Sequence, residues 1–209
     1  MDKKNQELLE KGEVLPLMEA FYSIQGEGFH KGKASYFIRI GGCDVGCHWC
    51  DVKDSWDAQA HPLISTKKIV KNSLEYSEMV VVTGGEPLMW DMTILTRELK
   101  ENNKKIHIET SGAYELTGNW DWICLSPKKQ MKPVDEIYKK ADELKVIVYN
   151  NDDFKFAEDQ AKKISSKAHL FLQPEWENRE KMMPIIVDYI KKNPKWKISL
   201  QTHKYLDIP

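Results

Sequence analysis

Short apolar runs recur along the whole chain, and longer amphipathic stretches lie between them. Residues 18–24, 35–40, 79–83, 105–109, 122–125, 144–149, 169–172 and 197–200 have the length of strands, and several are rich in Val, Ile and aromatics. Helical patterns fall between them at 66–76, 92–102, 152–164 and 178–192. In the second of these, Ile94, Leu95 and Leu99 share one face; Pro184 interrupts the first half of the fourth. This alternation predicts an α/β fold with a mainly parallel sheet. Such sheets, open or closed into a barrel, bind ligands at the carboxyl ends of their strands. Six of the runs end there in small and polar residues: Gly41-Gly42-Cys43, Thr83-Gly84-Gly85-Glu86-Pro87, Glu109-Thr110-Ser111-Gly112, Ser126-Pro127-Lys128, Gln173-Pro174 and Gln201-Thr202-His203-Lys204. Any single strand can end that way. Six together predict one chemically equipped face.

A chain of 209 residues suits one domain with one substantial core. Hydrophobic residues are 41% and charged residues 30%, as in an ordinary globular protein. The formal net charge of -1, with lysines spread among acids, argues against a nucleic-acid partner. No apolar run approaches the roughly 18 residues of a membrane span. The opening MDKKNQELLEKG is polar and unlike a signal peptide, so a cytoplasmic protein with no membrane contact is expected. In that compartment the four cysteines are expected to be free, and their clustering points to metal binding or catalysis.

Cys43-Asp-Val-Gly-Cys47-His-Trp-Cys50 places three thiols in one loop. Thiolates are soft ligands that suit iron–sulfur clusters or zinc. A cluster normally takes four cysteines, so three leave one iron open to a small molecule. The amino and carboxylate groups of S-adenosylmethionine (SAM) can chelate that iron, and reductive cleavage then gives a 5′-deoxyadenosyl radical, chemistry that proteins delegate to cofactors. A structural zinc site competes with this reading; its fourth ligand would be Cys124, His48 or a distant His. Cys124 lies inside a strand candidate and reads as an inert buried thiol.

CxxxCxxC after a strand, followed by Thr83-Gly84-Gly85-Glu86-Pro87, resembles the radical SAM superfamily and its GGEP motif. Within it the chain is similar to the 7-carboxy-7-deazaguanine synthases. The matching segments are Phe21-Tyr-Ser-Ile-Gln-Gly-Glu-Gly28, Phe37-Ile-Arg-Ile-Gly-Gly-Cys43, Cys47-His-Trp-Cys-Asp51, Glu109-Thr-Ser-Gly112, Ser126-Pro-Lys128, Leu172-Gln-Pro174, Gln201-Thr-His-Lys204 and Ile208-Pro209. Glycyl-radical activases share CxxxCxxC and are the alternative; they lack the combination of the Gln-Gly-Glu-Gly segment and the QTHK tail.

The resemblance implies a partial (β/α) barrel, of six strands or a trimmed variant, forming one radical SAM domain over residues 1–209. It implies conversion of 6-carboxy-5,6,7,8-tetrahydropterin to 7-carboxy-7-deazaguanine with loss of ammonia, SAM acting as a true cofactor, on the way to 7-deazapurines such as queuosine. It assigns Cys43, Cys47 and Cys50 to a 4Fe–4S cluster. Ile24, Gln25, Gly26, Glu27, Arg39, Thr110 and Pro209 fall to the substrate. His48, Trp49, Cys50, Gly84, Gly85, Glu86, Gly112, Ser126, Pro127, Lys128 and Gln173 fall to SAM. No side chain is expected to be catalytic, because the radical is carried by SAM. Glu27 can accept from adjacent ring N–H groups, and Arg39 offers a planar fork to a carboxylate. The terminal carboxylate at Pro209 is expected to reach the substrate, so residues added after it should raise the Michaelis constant. The family also implies Mg²⁺, ligated by a Thr where this chain has Val52; Asp51, Asp54, water or the substrate would have to take its place. A flavodoxin- or ferredoxin-type electron donor and a homodimer complete the expectations. His107, inside a strand candidate, reads as a satisfied core or surface residue.

Overall fold

The computed structural model describes residues 2–209. Its elements in chain order are α1 (Lys3–Glu10), β1 (Val14–Ile24), β2 (Ala34–Ile40), β3 (Leu63–Ser65), α2 (Thr66–Ser73), β4 (Met79–Gly84), α3 (Thr93–Glu101), β5 (Lys105–Thr110), β6 (Trp122–Leu125), α4 (Ile137–Lys140), β7 (Glu143–Val148), α5 (Asp152–Ala161), β8 (His169–Pro174), α6 (Arg179–Lys192), β9 (Trp196–Ile198) and α7 (Thr202–Leu206). One nine-stranded sheet runs β3-β1-β2-β4-β5-β6-β7-β8-β9. Antiparallel pairings join β1 to β2 and β3; from β2 to β9 every pairing is parallel. The sheet is open, and mostly parallel as expected, but longer than six strands. The crossover from β5 to β6 carries no helix, and the one from β6 to β7 only the single turn of α4.

The period of two along each strand sorts the residues between two environments. Ile38, Val80, Val82, Ile106, Ile108, Leu144, Val146 and Leu172 join residues of α2, α3, α5 and α6 in the main apolar core. The alternate positions Arg39, Thr83, Glu109, Lys145 and Gln173 line a cavity instead. The helices form where their apolar spacing meets this outer face. Leu95 and Leu99 of α3 are fully buried there, and Asn103, with φ of 58°, turns the chain out of the helix. In α5, Asp153 accepts from the backbone N–H groups of Tyr149 and Asn150 at 2.7 and 2.8 Å, tying the first turn to the end of β7. Pro184 does not break α6, which is continuous from Arg179 to Lys192.

Residues 25–33 connect β1 to β2 and fold into the concave side of the sheet. Gly28 N–H donates to Ser199 Oγ and Phe29 N–H to Glu143 Oε2. Phe29 stacks on Trp122 and His169, the first residues of β6 and β8. The loop therefore plugs the sheet at the amino ends of its strands, leaving the carboxyl ends open. Among the described residues no helix is long and apolar enough to cross a membrane.

Candidate active site

A cavity of about 540 Å³ opens at the carboxyl ends of the parallel strands. Its size suits a small-molecule site. It brings together most of the residues that the sequence singled out. Cys43, Cys47 and Cys50 line it with Trp49, Val52, Gly84, Gly85, Glu86, Ser126, Lys128 and Gln173; Ile24, Gln25, Gly26, Glu27, Arg39, Thr110 and Pro209 line it too. His48, Pro127 and Gly112 are not on its wall. His48 packs edge-on against Tyr149, and Gly112 faces the core: a Cβ there would stand 2.6 Å from Leu125 Cδ1.

The cysteine loop is held by backbone contacts. Gly42 N–H donates to Ser55 O and Cys43 N–H to Trp56 O, closing the loop on itself. Gly85 N–H donates to Ile40 O at 2.9 Å and Glu86 N–H to Gly42 O at 2.8 Å, clamping it to the turn after β4. That turn needs glycine. A Cβ on Gly84, at φ of 142°, would meet Ile40 O at 2.0 Å; one on Gly85 would meet Gly42 O at 2.3 Å and Cys43 Cβ at 2.8 Å. All four cysteines are free. Burial pushes the Cys43 thiol up to about 11 and also raises Cys47. Thiolates at these positions would therefore need a cationic partner.

Glu86 is 1% exposed. Its carboxylate accepts from Leu88 N–H, Thr110 Oγ1, and both the backbone N–H and the hydroxyl of Ser111, at 2.5–3.0 Å. It locks the turn after β4 to the end of β5, and so fixes the hydroxyl that Thr110 presents beside the cavity.

The opposite wall carries residues that sequence reasoning passed over. Lys145, 3% exposed, bonds to Glu27 and, at 2.8 Å, to Glu109 Oε2. Gln25 Nε2 donates to Glu109 Oε1 at 2.9 Å, and Gln25 Oε1 accepts from Glu27 N–H at 3.0 Å. Burial favours a neutral Lys145, but Glu109 and Glu27 outweigh it and hold the ammonium well above its ordinary value. Burial likewise pushes Glu109 up, and Lys145 outweighs it, so Glu109 lies below the usual carboxylate range. The wall thus presents fixed acceptors, with Glu109 held in its ionised form. Lys145 was detectable as a lone charge inside the apolar run Leu144-Lys-Val-Ile-Val148.

His203 packs on Gly26, and Lys204 and Gln201 both bond Asp51 Oδ2, at 2.5 and 3.0 Å. The QTHK tail therefore joins the cysteine loop to the 25–33 loop. Arg39 lines the cavity, pairs with Glu19 at 2.8 Å and lies 5.5 Å from the Phe21 ring centroid. Pro209 O accepts from Ser23 Oγ at 3.0 Å. His107 is buried below the floor, beside His30, where burial depresses it to about 4.

The radical SAM superfamily model matches residues 37–123, from β2 to the start of β6. A 7-carboxy-7-deazaguanine synthase of Flavobacterium psychrophilum is 64% identical over 209 residues, covering all of both chains. That of Synechocystis is 48% identical over 92% of this chain and 93% of its own. The crystal structure of QueE from Escherichia coli superposes with a TM-score of 0.83 at 26% identity, covering 97% of this chain and all of that one. The full-length identity to the Flavobacterium protein, together with the shared fold, shows that the chain belongs to the 7-carboxy-7-deazaguanine synthase family of the radical SAM superfamily.

Proposed function

We propose that the chain is a radical SAM lyase that contracts the ring of 6-carboxy-5,6,7,8-tetrahydropterin to 7-carboxy-7-deazaguanine, releasing ammonia. One observation carries this reading: a single cavity has three free thiols on one wall and the Gln25–Glu27–Glu109–Lys145 network on another.

The donor set fits a 4Fe–4S cluster. Three soft thiols edge the cavity, and glycines at 84 and 85 bring the neighbouring backbone against them. Among the described residues no three His, Cys, Asp or Glu side chains converge to hold one ion. Thiolates bound to three separate irons need not converge, whereas a lone zinc would require it. Magnesium fits less well. Val52 offers an alkyl wall, and Asp51 Oδ2 is taken by Gln201 and Lys204. Any Mg²⁺ would be held mainly by substrate and water.

When bound, the cluster and SAM would supply reductive radical chemistry for hydrogen abstraction at carbon 6 of the pterin. The chain's own residues orient and shield. Cys43, Cys47 and Cys50 ligate iron. Gly84, Gly85, Ser126, Lys128 and Gln173 border SAM, while Glu86 braces the turn beneath it. Glu27 and Gln25 take the aminopyrimidine edge of the pterin, Arg39 its carboxylate, and Thr110 and Pro209 close the substrate side. Holding both molecules in register is the main contribution of the protein. The resemblance also supports a flavodoxin- or ferredoxin-type donor and a homodimer.

Anaerobic reconstitution should give brown protein with iron and sulfide near about four each per chain. With reductant, SAM and the carboxypterin alone, it should release the deazaguanine and ammonia in equal amounts. Colourless protein with one zinc, or turnover only with a partner polypeptide, would refute the proposal.

A further inference from the structure

Glu143 opens β7 and is 3% exposed, yet it is not on the wall of the large cavity. Its Oε2 accepts from Phe29 N–H at 3.1 Å and Trp122 Nε1 at 3.3 Å, and its Oε1 accepts from the Cys124 thiol at 3.6 Å. A Cβ on Gly28 would stand 2.1 Å from Oε1, so the carboxylate lies directly against the 25–33 loop. Burial penalises an ionised group here and raises the Glu143 carboxyl above its ordinary value. Space-filling alone would be met at less cost by leucine. What leucine cannot supply is an acceptor for Phe29 N–H and Trp122 Nε1–H, so both bonds that tie the loop and β6 to this position would be lost.

The loop that Glu143 holds from behind carries Gln25 and Glu27 at its front. On the cavity side Lys145 bonds Glu27. Gly28 N–H donates to Ser199 Oγ at 3.0 Å, and that hydroxyl donates to Gln173 Oε1 at 2.6 Å. Gly26 O accepts from Thr202 N–H at 3.0 Å. Glu27 is one residue from Gly28 and two from Phe29, so a shift at either contact moves it.

We propose that Glu143 is a positioning residue for pterin recognition: its bonds to Phe29 and Trp122 and its contact with Gly28 set how far Gln25 and Glu27 reach into the cavity. This rests on the proposed role of those two side chains. Glu143 is outside the cavity, so it acts on substrate through the loop; its charge also reaches Lys145 and Glu109, and Glu143→Gln removes that charge while keeping the loop contact.

The test compares Glu143→Leu, Glu143→Gln and Gly28→Ala with wild type in anaerobic, reconstituted protein. Glu143→Leu should raise the KM for the carboxypterin at least tenfold, with kcat falling less than threefold and the KM for SAM unchanged. Glu143→Gln keeps an acceptor for Phe29 and should stay within threefold of wild type throughout. Gly28→Ala keeps the glutamate but sets a methyl group 2.1 Å from its Oε1, at a φ of 63° that strains any side chain, so loop and carboxylate must part; it should reproduce the KM effect, and it also serves if Glu143→Leu does not fold. Hydrogen exchange provides a readout that needs no substrate. Backbone amides of residues 26–30 should exchange faster in Glu143→Leu and Gly28→Ala, whatever the enzyme turns over. Unchanged exchange there overturns the proposal. So does a loss shared equally between pterin, SAM and kcat, which would mean packing alone. Failure of the wild type to turn over the pterin would instead count against the proposed function, and the exchange result would still decide the role of Glu143.

Discussion

Lys145 shows how a single buried charge can organise a binding wall. Two carboxylates, Glu27 and Glu109, share its ammonium. Without that cation Glu109 would lose the charge that offsets its burial and would hold a proton to higher pH. Breaking a buried pair by removing one partner costs about 3–5 kcal/mol, because the other charge is left uncompensated. Lys145→Met should therefore lower the thermal midpoint by roughly 10 °C in a chain of this size. The acidic limb of the pH profile of kcat/KM for the pterin should also move upward, since Glu109 becomes protonated sooner as pH falls. The sign follows from the native protein, where Lys145 holds Glu109 below the usual carboxylate range. A midpoint lowered with no movement of that limb would show that the lysine stabilises the fold without tuning the acceptors.

The turn after β4 and the loop after β2 act as one unit, because backbone meets backbone at glycine. Gly85→Ala would drive a methyl group into Gly42 O and Cys43 Cβ, neither of which is the free end of a flexible side chain. We expect iron per chain after reconstitution to fall by half or more, with the far-UV spectrum unchanged; full iron loading would mean that the loop can yield. The sequence made this unit legible, because cysteine spacing and a Gly-Gly-Glu-Pro run are local patterns. Strands with strong apolar content were legible for the same reason, and Trp122–Leu125 appears with the expected bounds. What escaped was what depends on tertiary contact. The seventh strand starts at Glu143, one residue before the apolar run that announced it, because a charged side chain facing the plugged interior leaves no periodic signal. The helices α4 and α7 have four and five residues, too few for a hydrophobic period to declare itself, while α1 buries only Leu9 and β3 buries no residue, so neither carries an apolar pattern. Pro184 was read as an interruption, yet the packing of Met182 and Ile186 on either side of it carries α6 through.

Across the whole molecule the sheet separates stability from chemistry. Its outer face and helices make the main apolar core, and no residue between 41 and 61 belongs to that core. The cysteine loop buries Val45 and Cys47 and is tied to the rest by hydrogen bonds: Gly41 N–H to Pro16 O, Glu86 N–H to Gly42 O, and Asp51 to Gln201 and Lys204. In small metal-dependent domains the bound metal supplies most of the folding free energy, because no adequate core exists without it. Here the core is complete without any contribution from the loop. Removing iron with oxidant and chelator should accordingly leave the far-UV spectrum and a cooperative thermal transition in place. Faster hydrogen exchange should be confined to residues 42–56 and the turn at 84–86 that rests on them. The strands β4 to β8, whose outward side chains are almost wholly buried, should keep their protection. Collapse of protection across those strands on iron removal would mean that the cluster is part of the core, contrary to the separation that the two faces of the sheet impose.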